Sequence, residues 1–182
     1  MEQTVVLIKP DGIERGIVGE ILTRFERVGL KLNAAKLIWV GRTLVGKHYS
    51  NDEAYLKSVG GKTLENYSKY GLDPNENLGL SDPVEIGRIV RKWNMNFLSS
   101  GPVFAILLEG PNAVAVVRKI VGHTFPLEAI PGTIRGDFSS DSAYDSNLQK
   151  RTTRNLIHAS GTPAEAKFEK KLWFKRGEIY DY

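Results

Sequence analysis

Val103-Phe104-Ala105-Ile106-Leu107-Leu108 is the longest apolar run in the chain. Six residues are too few to cross a bilayer. Their unbroken apolarity is that of a strand covered on both faces, so this segment reads as the centre of a sheet. Upstream, Thr4–Lys9 is a second strand, rich in β-branched residues and closed by the turn signal Pro10-Asp11-Gly12. A helix follows over Ile17–Val28, with apolar residues at i, i+3/i+4 spacing and Gly29 placed as its C-terminal cap. Leu30–Val40 is a further strand. Downstream, Asn112 is placed to cap a helix over Ala113–Val121 that Gly122 ends, and Asn155–His158 is a short strand. Thr162-Pro163-Ala164-Glu165 is a capping box opening a helix to about Phe174.

Between these elements lie two polar stretches. Ser50–Asp82, which holds Gly60, Gly61, Gly71 and Gly79, has no sustained period and reads as a long excursion with a short helical piece near Thr63–Tyr70. It ends at a clear helix start, with Asp82 as N-cap, Pro83 at the first position and Glu85 at the third. Ile86, Ile89, Val90, Trp93 and Phe97 give that helix one apolar face, and Trp93 and Phe97 are expected in the core. Ser139–Arg151 is the second polar insertion. The strand–helix alternation predicts an α+β sandwich of split βαβ type: a four-stranded antiparallel sheet, helices on one face, and added helices in the insertions. At 182 residues the chain is read as one domain over 1–182, with insertions at about 50–82 and 139–151.

Composition narrows the chemistry. With 41% hydrophobic and 25% charged residues the chain is globular in type, and its net charge of +4 is a mild basic tilt. The absence of cysteine excludes disulfides, thiolate metal sites and cysteine nucleophiles. No targeting segment is visible at Met1-Glu2-Gln3-Thr4, so a soluble, cytoplasmic protein with no membrane partner is expected. Gly60-Gly61-Lys62-Thr63 resembles the end of a phosphate-binding Walker loop, but Leu56 stands where that loop needs glycine; a flexible surface turn is the better reading.

Of the three histidines, His48 and His123 read as surface or satisfied core residues. His158 differs. It ends the apolar Leu156-Ile157 strand, precedes small residues, and lies just before a capped helix whose free backbone N–H groups suit anion chemistry. Glu169 follows on that helix, within reach of the imidazole. Lys9 at the first turn, Arg135 in Thr133-Ile134-Arg135-Gly136-Asp137, and Arg118 ahead of Thr124 supply the cations that phosphate transfer needs.

Taken together, Val6-Leu7-Ile8-Lys9-Pro10-Asp11-Gly12, Arg15-Gly16-Ile17-Val18-Gly19, Pro131–Phe138, Arg154–Ser160 and Leu172-Trp173-Phe174 resemble nucleoside diphosphate kinase. The likeness runs from residue 3 to 182 outside the two insertions. It implies a ferredoxin-like subunit that moves the γ-phosphate of a nucleoside triphosphate to a nucleoside diphosphate. His158 then carries the phosphoryl group in a ping-pong cycle, and Glu169 and Ser160 orient its ring. Lys9 and Tyr49 contact the transferred phosphate and the sugar, Arg118, Thr124 and Arg135 clamp the β- and γ-phosphates, and Asn155 reads the sugar 3′-hydroxyl with Lys9. Mg²⁺ is the implied cofactor, arriving on the nucleotide phosphates with no protein metal cage. A homo-oligomer, tetramer or hexamer, is implied as well.

Departures from the family pattern are Phe125 in the usual Thr-Asn-Pro, Ala159 for the usual glycine, and the two insertions. They put base contacts and subunit packing in question and leave the phosphate positions filled. A nucleic-acid-binding module without turnover is the competing reading. It calls for paired aromatics on central strands, where Val103–Leu108 offers only Phe104.

Overall fold

The computed structural model describes residues 1–182. Four strands, β1 (Glu2–Ile8), β2 (Lys31–Trp39), β3 (Pro102–Gly110) and β4 (Ile157–Ala159), form one sheet in the order β2-β3-β1-β4. Every neighbouring pair is antiparallel. The apolar run lies where its composition places it: β3 pairs with β1 through Val5↔Leu107 and with β2 through Ala35↔Ile106. Ten helices complete the chain. α1 (Pro10–Glu14) and α2 (Val18–Glu26) follow β1; α3 (Arg42–His48), α4 (Glu53–Lys69), α5 (Pro74–Leu78) and α6 (Pro83–Leu98) lie between β2 and β3. α7 (Ala113–Val121), α8 (Ile134–Phe138) and α9 (Ala143–Leu148) connect β3 to β4, and α10 (Pro163–Trp173) follows it.

Period-two alternation sends the strand side chains to two cores. On one face Val6, Ile8, Ile106 and Leu108 meet Ile21 and Phe25 of α2 and Val117 and Val121 of α7. These are the two crossover helices of the split βαβ unit, on one face as the element order implies, and the fold is ferredoxin-like. On the opposite face Val5, Leu7, Ala105 and Leu107 lie under Val45 of α3, Leu98 of α6 and Trp173 of α10. The helices outside the βαβ unit therefore bury the second face, which would otherwise be an open apolar sheet.

The polar stretch 50–82 is more regular than its sequence suggests. Asp52 caps α4, accepting a hydrogen bond from the Tyr55 N–H at 2.8 Å, and the helix then runs 17 residues, with the short α5 beyond it. The glycines that weaken its helix signal do so for a packing reason. A Cβ on Gly60 would strike the Pro83 carbonyl oxygen of α6, and one on Gly87 of α6 would strike the Leu56 carbonyl oxygen of α4. Two helices pressed backbone to backbone need glycine at the crossing, so the Gly60-Gly61-Lys62-Thr63 segment is helix, not a surface turn. Leu56 and Tyr67 are buried in that contact, and the Tyr67 hydroxyl donates to Asn77 Oδ1 at 2.7 Å.

The second insertion is also ordered by caps and ion pairs. Ser142 caps α9 by accepting from the Asp145 N–H at 3.0 Å, and Arg151 grips Asp141 with two nitrogens at 2.6 and 3.0 Å. The insertions touch where the Tyr70 and Tyr144 rings lie 5.7 Å apart, and Lys69 Nζ sits 2.7 Å from Glu128 Oε1 in the loop after Thr124. Asn112 stands at the α7 N-cap position with φ 51°, but its side chain makes no cap bond. Glu2 instead accepts the Val114 N–H at 2.8 Å. Trp93 and Phe97, expected in the core, are only half-buried, and Trp93 lines a cleft.

The crossing is testable by paired substitutions. Gly60→Ala and Gly87→Ala each force backbone apart and are expected to destabilise the protein by about 1–3 kcal/mol or more in urea titrations. Gly61→Ala, whose Cβ meets open space in the same helix, is expected to be neutral or stabilising by up to about 1 kcal/mol.

Candidate active site

His158 sits on the edge strand β4 opposite Leu7 of β1. Its neighbours Ile157 and Ala159 belong to the crossover-helix core, so alternation turns the imidazole to the opposite face, toward α3 and α10. There Glu169 Oε1 accepts from His158 Nε2 at 2.7 Å, and Glu169 Oε2 accepts from the Ser160 hydroxyl at 2.6 Å. Ser160 is fully buried, and its hydroxyl also accepts from the Val5 N–H at 3.2 Å, which fixes it to β1. Burial works against the Glu169 charge, but the electrostatic pull of the His158 and His48 rings and the hydrogen bonds from His158 and Ser160 outweigh it and hold the carboxyl below its usual range. With Nε2 engaged, Nδ1 of His158 carries the free lone pair.

His48, read from sequence as a surface or satisfied core residue, is a core residue, and its unforeseen feature is its place beside His158. Its side chain is 2% exposed, its ring lies edge-on to His158 with centroids 4.6 Å apart, and its Nδ1 is 3.6 Å from Glu169 Oε1. Trp173 Nε1 lies 3.4 Å from the same nitrogen. Burial, and then the neighbouring His158, push its pKa down to about 3, so it stays neutral. No local sequence signal singles it out.

The β1 turn supplies the next set. Lys9 Nζ donates to Asn155 Oδ1 at 2.5 Å, and the Asn155 amide donates to the Thr124 carbonyl at 2.8 Å. Burial lowers the Lys9 ammonium to about 8, with Asp11 opposing the shift and Arg135 adding to it. Pro10-Asp11-Gly12 forms the start of α1, not a simple turn. Asp11 is buried and accepts the Leu156 N–H at 3.0 Å, while the Leu156 carbonyl accepts the Lys9 N–H at 2.8 Å. Leu156 is held at φ 68°, a region disfavoured for a branched side chain. Asp11 and Lys9 thus lock a strained backbone two residues before His158.

Arg135 is buried, and its guanidinium donates to the carbonyls of Asn155, Gly122, His123 and Ile157 at 2.7–3.2 Å. Burial lowers its pKa to about 10, with Arg118 adding to the effect and Asp11 opposing it. In this arrangement it staples the Thr124 loop to the strand that carries His158. Arg118, in the last turn of α7, is exposed, and its side chain makes no hydrogen bond or ion pair within the chain. Tyr49 closes α3, and burial raises its phenol, which stays protonated as a donor. Arg91 of α6, also missed from sequence, donates to the Tyr49 and Ser50 carbonyls at 2.9 Å and positions that corner.

Seven of the expected site residues border one cleft of about 360 Å³. Lys9, Tyr49, Arg118, Thr124, Arg135, Asn155 and His158 line it together; Ser160 and Glu169 stand behind His158. His123 is half-exposed and outside it. An imidazole with one nitrogen held by a carboxylate and the other open, facing cations in a cleft, is the equipment of a covalent phosphotransferase.

A family model of nucleoside diphosphate kinase matches residues 2–58 and 89–179, breaking across most of α4 and α5. The nucleoside diphosphate kinase of Pyrobaculum aerophilum is 42% identical over 100% of this chain and 99% of its own length; that of Borreliella burgdorferi is 39% identical over 100% and 92%. The crystal structure of an NDP kinase from Pyrobaculum aerophilum superposes with a TM-score of 0.96 at 41% identity, covering 99% of both chains. A Borrelia burgdorferi nucleoside-diphosphate kinase, solved as a transition state mimic with vanadate and ADP, gives 0.78 at 38% identity, covering 100% of this chain and 91% of that one. The chain belongs to the nucleoside diphosphate kinase family.

The histidine geometry makes an NMR prediction. ¹⁵N spectra are expected to show His158 as the Nε2–H tautomer, becoming a mixture in Glu169→Ala. His48 is expected to show no titration between pH 8 and pH 5, because its folded pKa lies near 3.

Proposed function

We propose that His158 Nδ1 is the atom that carries the phosphoryl group in the nucleoside diphosphate kinase reaction of this chain. The observation that carries this reading is the 2.7 Å His158 Nε2–Glu169 hydrogen bond, which holds the ring in the tautomer whose Nδ1 is a nucleophile. The Nδ1 lone pair attacks the γ-phosphorus of a nucleoside triphosphate, the bond to the β–γ bridging oxygen breaks, and the nucleoside diphosphate leaves with that electron pair. A second diphosphate reverses the step through a terminal β-phosphate oxygen.

The other residues divide the work by what they touch. Glu169 and Ser160 position the ring. Arg118, free of partners, and Thr124 bind the phosphates, joined by Arg135 to the extent that its guanidinium turns from its carbonyls. Lys9 and Asn155, already paired, read the sugar 3′-hydroxyl, and Lys9 with the Tyr49 phenol meets the transferred group. The family requires a divalent cation, which we take to be Mg²⁺. Glu165 is the one carboxylate lining the cleft, and it accepts the Gly161 N–H at 2.8 Å. That donor set suits a cation held on nucleotide phosphates over one caged by protein. The metal supplies charge neutralisation at the β- and γ-oxygens when bound.

A single domain over 1–182 and homo-oligomeric assembly complete the reading. The edge strand β2 exposes Leu37 by 62% and Trp39 by 68%, an apolar strip that favours a second subunit. No helix is long and apolar enough to cross a membrane. A cytoplasmic site of action is part of the proposal and is motivated by the cysteine-free composition.

Incubation with γ-³²P-ATP is expected to give acid-labile label on the protein that excess GDP discharges and His158→Ala abolishes; acid-stable label would sink the assignment. A pH dependence follows from Lys9. Its ammonium is present below about pH 8 and lost as pH rises through it, so nucleotide KM is expected to climb above pH 8. Lys9→Gln is expected to start with a higher KM and lack that limb.

A further inference from the structure

The phosphate-handling residues occupy one part of the cleft, and the insertions build another. Its remaining walls come from α4, α6 and α9, including Trp93, Asn94 and Asn147. A nucleotide whose phosphates reach His158 and Arg118 has only its base left to meet those walls. Four asparagines line the cleft, and three are committed. Asn155 bonds Lys9 and the Thr124 carbonyl, Asn94 Oδ1 accepts from the Thr152 hydroxyl, and Asn66 Nδ2 donates to the Lys62 carbonyl at 2.7 Å. Asn147 is different. It is 7% exposed, lines the cleft, and its carboxamide has no hydrogen-bond partner within the chain.

The residue is enclosed while its carboxamide atoms keep access to the cleft, so the partners that the chain does not supply can come from a ligand bound there. The support around it is rigid. Ser142 caps α9, Ser146 Oγ lies 2.9 Å from Thr153 Oγ1, and the Arg151–Asp141 pair closes the segment behind it.

We propose that Asn147 is a base-edge contact of the nucleotide site, supplied by the second insertion. A carboxamide offers one acceptor and a pair of donors, which matches the adjacent donor and acceptor found on the edge of each nucleobase. Rotation of the amide by half a turn exchanges the two, so one side chain serves amino-bearing and carbonyl-bearing bases alike. The half-buried Trp93 indole, on the same cleft, provides a flat apolar face for the ring. This inference rests on the proposed function, because it needs the phosphate end of the nucleotide at His158.

The test compares nucleoside diphosphates with ribose 5-diphosphate, an acceptor lacking the base. In the wild-type protein the abasic acceptor is expected to have the higher KM. In Asn147→Leu, which keeps the volume and removes the polar atoms, the ratio of abasic to base-bearing KM is expected to shrink roughly threefold to tenfold, the worth of one neutral hydrogen bond. Asn147→Ala gives a second reading if the leucine variant melts early. An unchanged ratio in both variants overturns the proposal. Phosphohistidine formation from γ-³²P-ATP is measured in parallel on the wild-type protein: its failure strikes the proposed function, whereas an unchanged KM ratio with normal labelling strikes only the role of Asn147.

Discussion

Glu169 connects the groups on which the chemistry depends. One of its oxygens takes the His158 Nε2–H and the other takes the Ser160 hydroxyl, so a carboxylate on α10 fixes both a ring on β4 and the strand end beside it. Such a carboxylate is tolerated in a nearly dry environment because its neighbours offset the loss of solvent. A charge-assisted hydrogen bond in that setting is stronger than its counterpart in water, and losing one partner would leave the other exposed to the full desolvation cost. The same bond decides tautomer, and tautomer decides which nitrogen can attack. His48 contributes by staying uncharged: a second cation beside His158 would compete for Glu169, and burial under Trp173 keeps the imidazole neutral.

This arrangement is possible because the sheet is covered on both faces. A split βαβ unit alone would leave the face of Val5, Leu7 and Leu107 bare. Helices α3 and α10 cover it, and in doing so bring Tyr49, His48 and Glu169 to the side of β4 from which His158 projects. Covering the core and assembling the site are the same packing event. The strained Leu156, held between Asp11 and the Lys9 N–H, fixes the backbone where it enters β4, two residues before the imidazole.

The central strands, the crossover helices and the His158–Glu169 pair were legible in the sequence, because apolar continuity, caps and the match to a known set of motifs each point to them directly. Two kinds of feature were not. The helix α4 escaped because Gly60 and Gly61 depress helix propensity, and their use at a backbone-to-backbone crossing depends on Gly87 in another helix. His48 and Arg91 escaped because neither has a local signature; each matters only through what tertiary packing brings near it. Trp93 was misread for a related reason. Helical periodicity identifies an inward face but does not distinguish the core from the wall of a cleft.

The insertions explain why that distinction matters. Lys69 and Tyr70 at the end of α4 both reach Glu128, in the loop that follows Thr124, and Tyr70 meets Tyr144 beside α9. One insertion is therefore tied to the phosphate loop and to the other insertion at once. The Gly60–Gly87 crossing holds α4 close to α6, which keeps Thr63 and Trp93 on the same wall. A cleft built this way has a fixed floor of charged groups and a wall whose polarity belongs to the insertions. Lys62 and Arg151 bring charge to that wall, and beside them an amide such as Asn147 can turn to present either a donor or an acceptor.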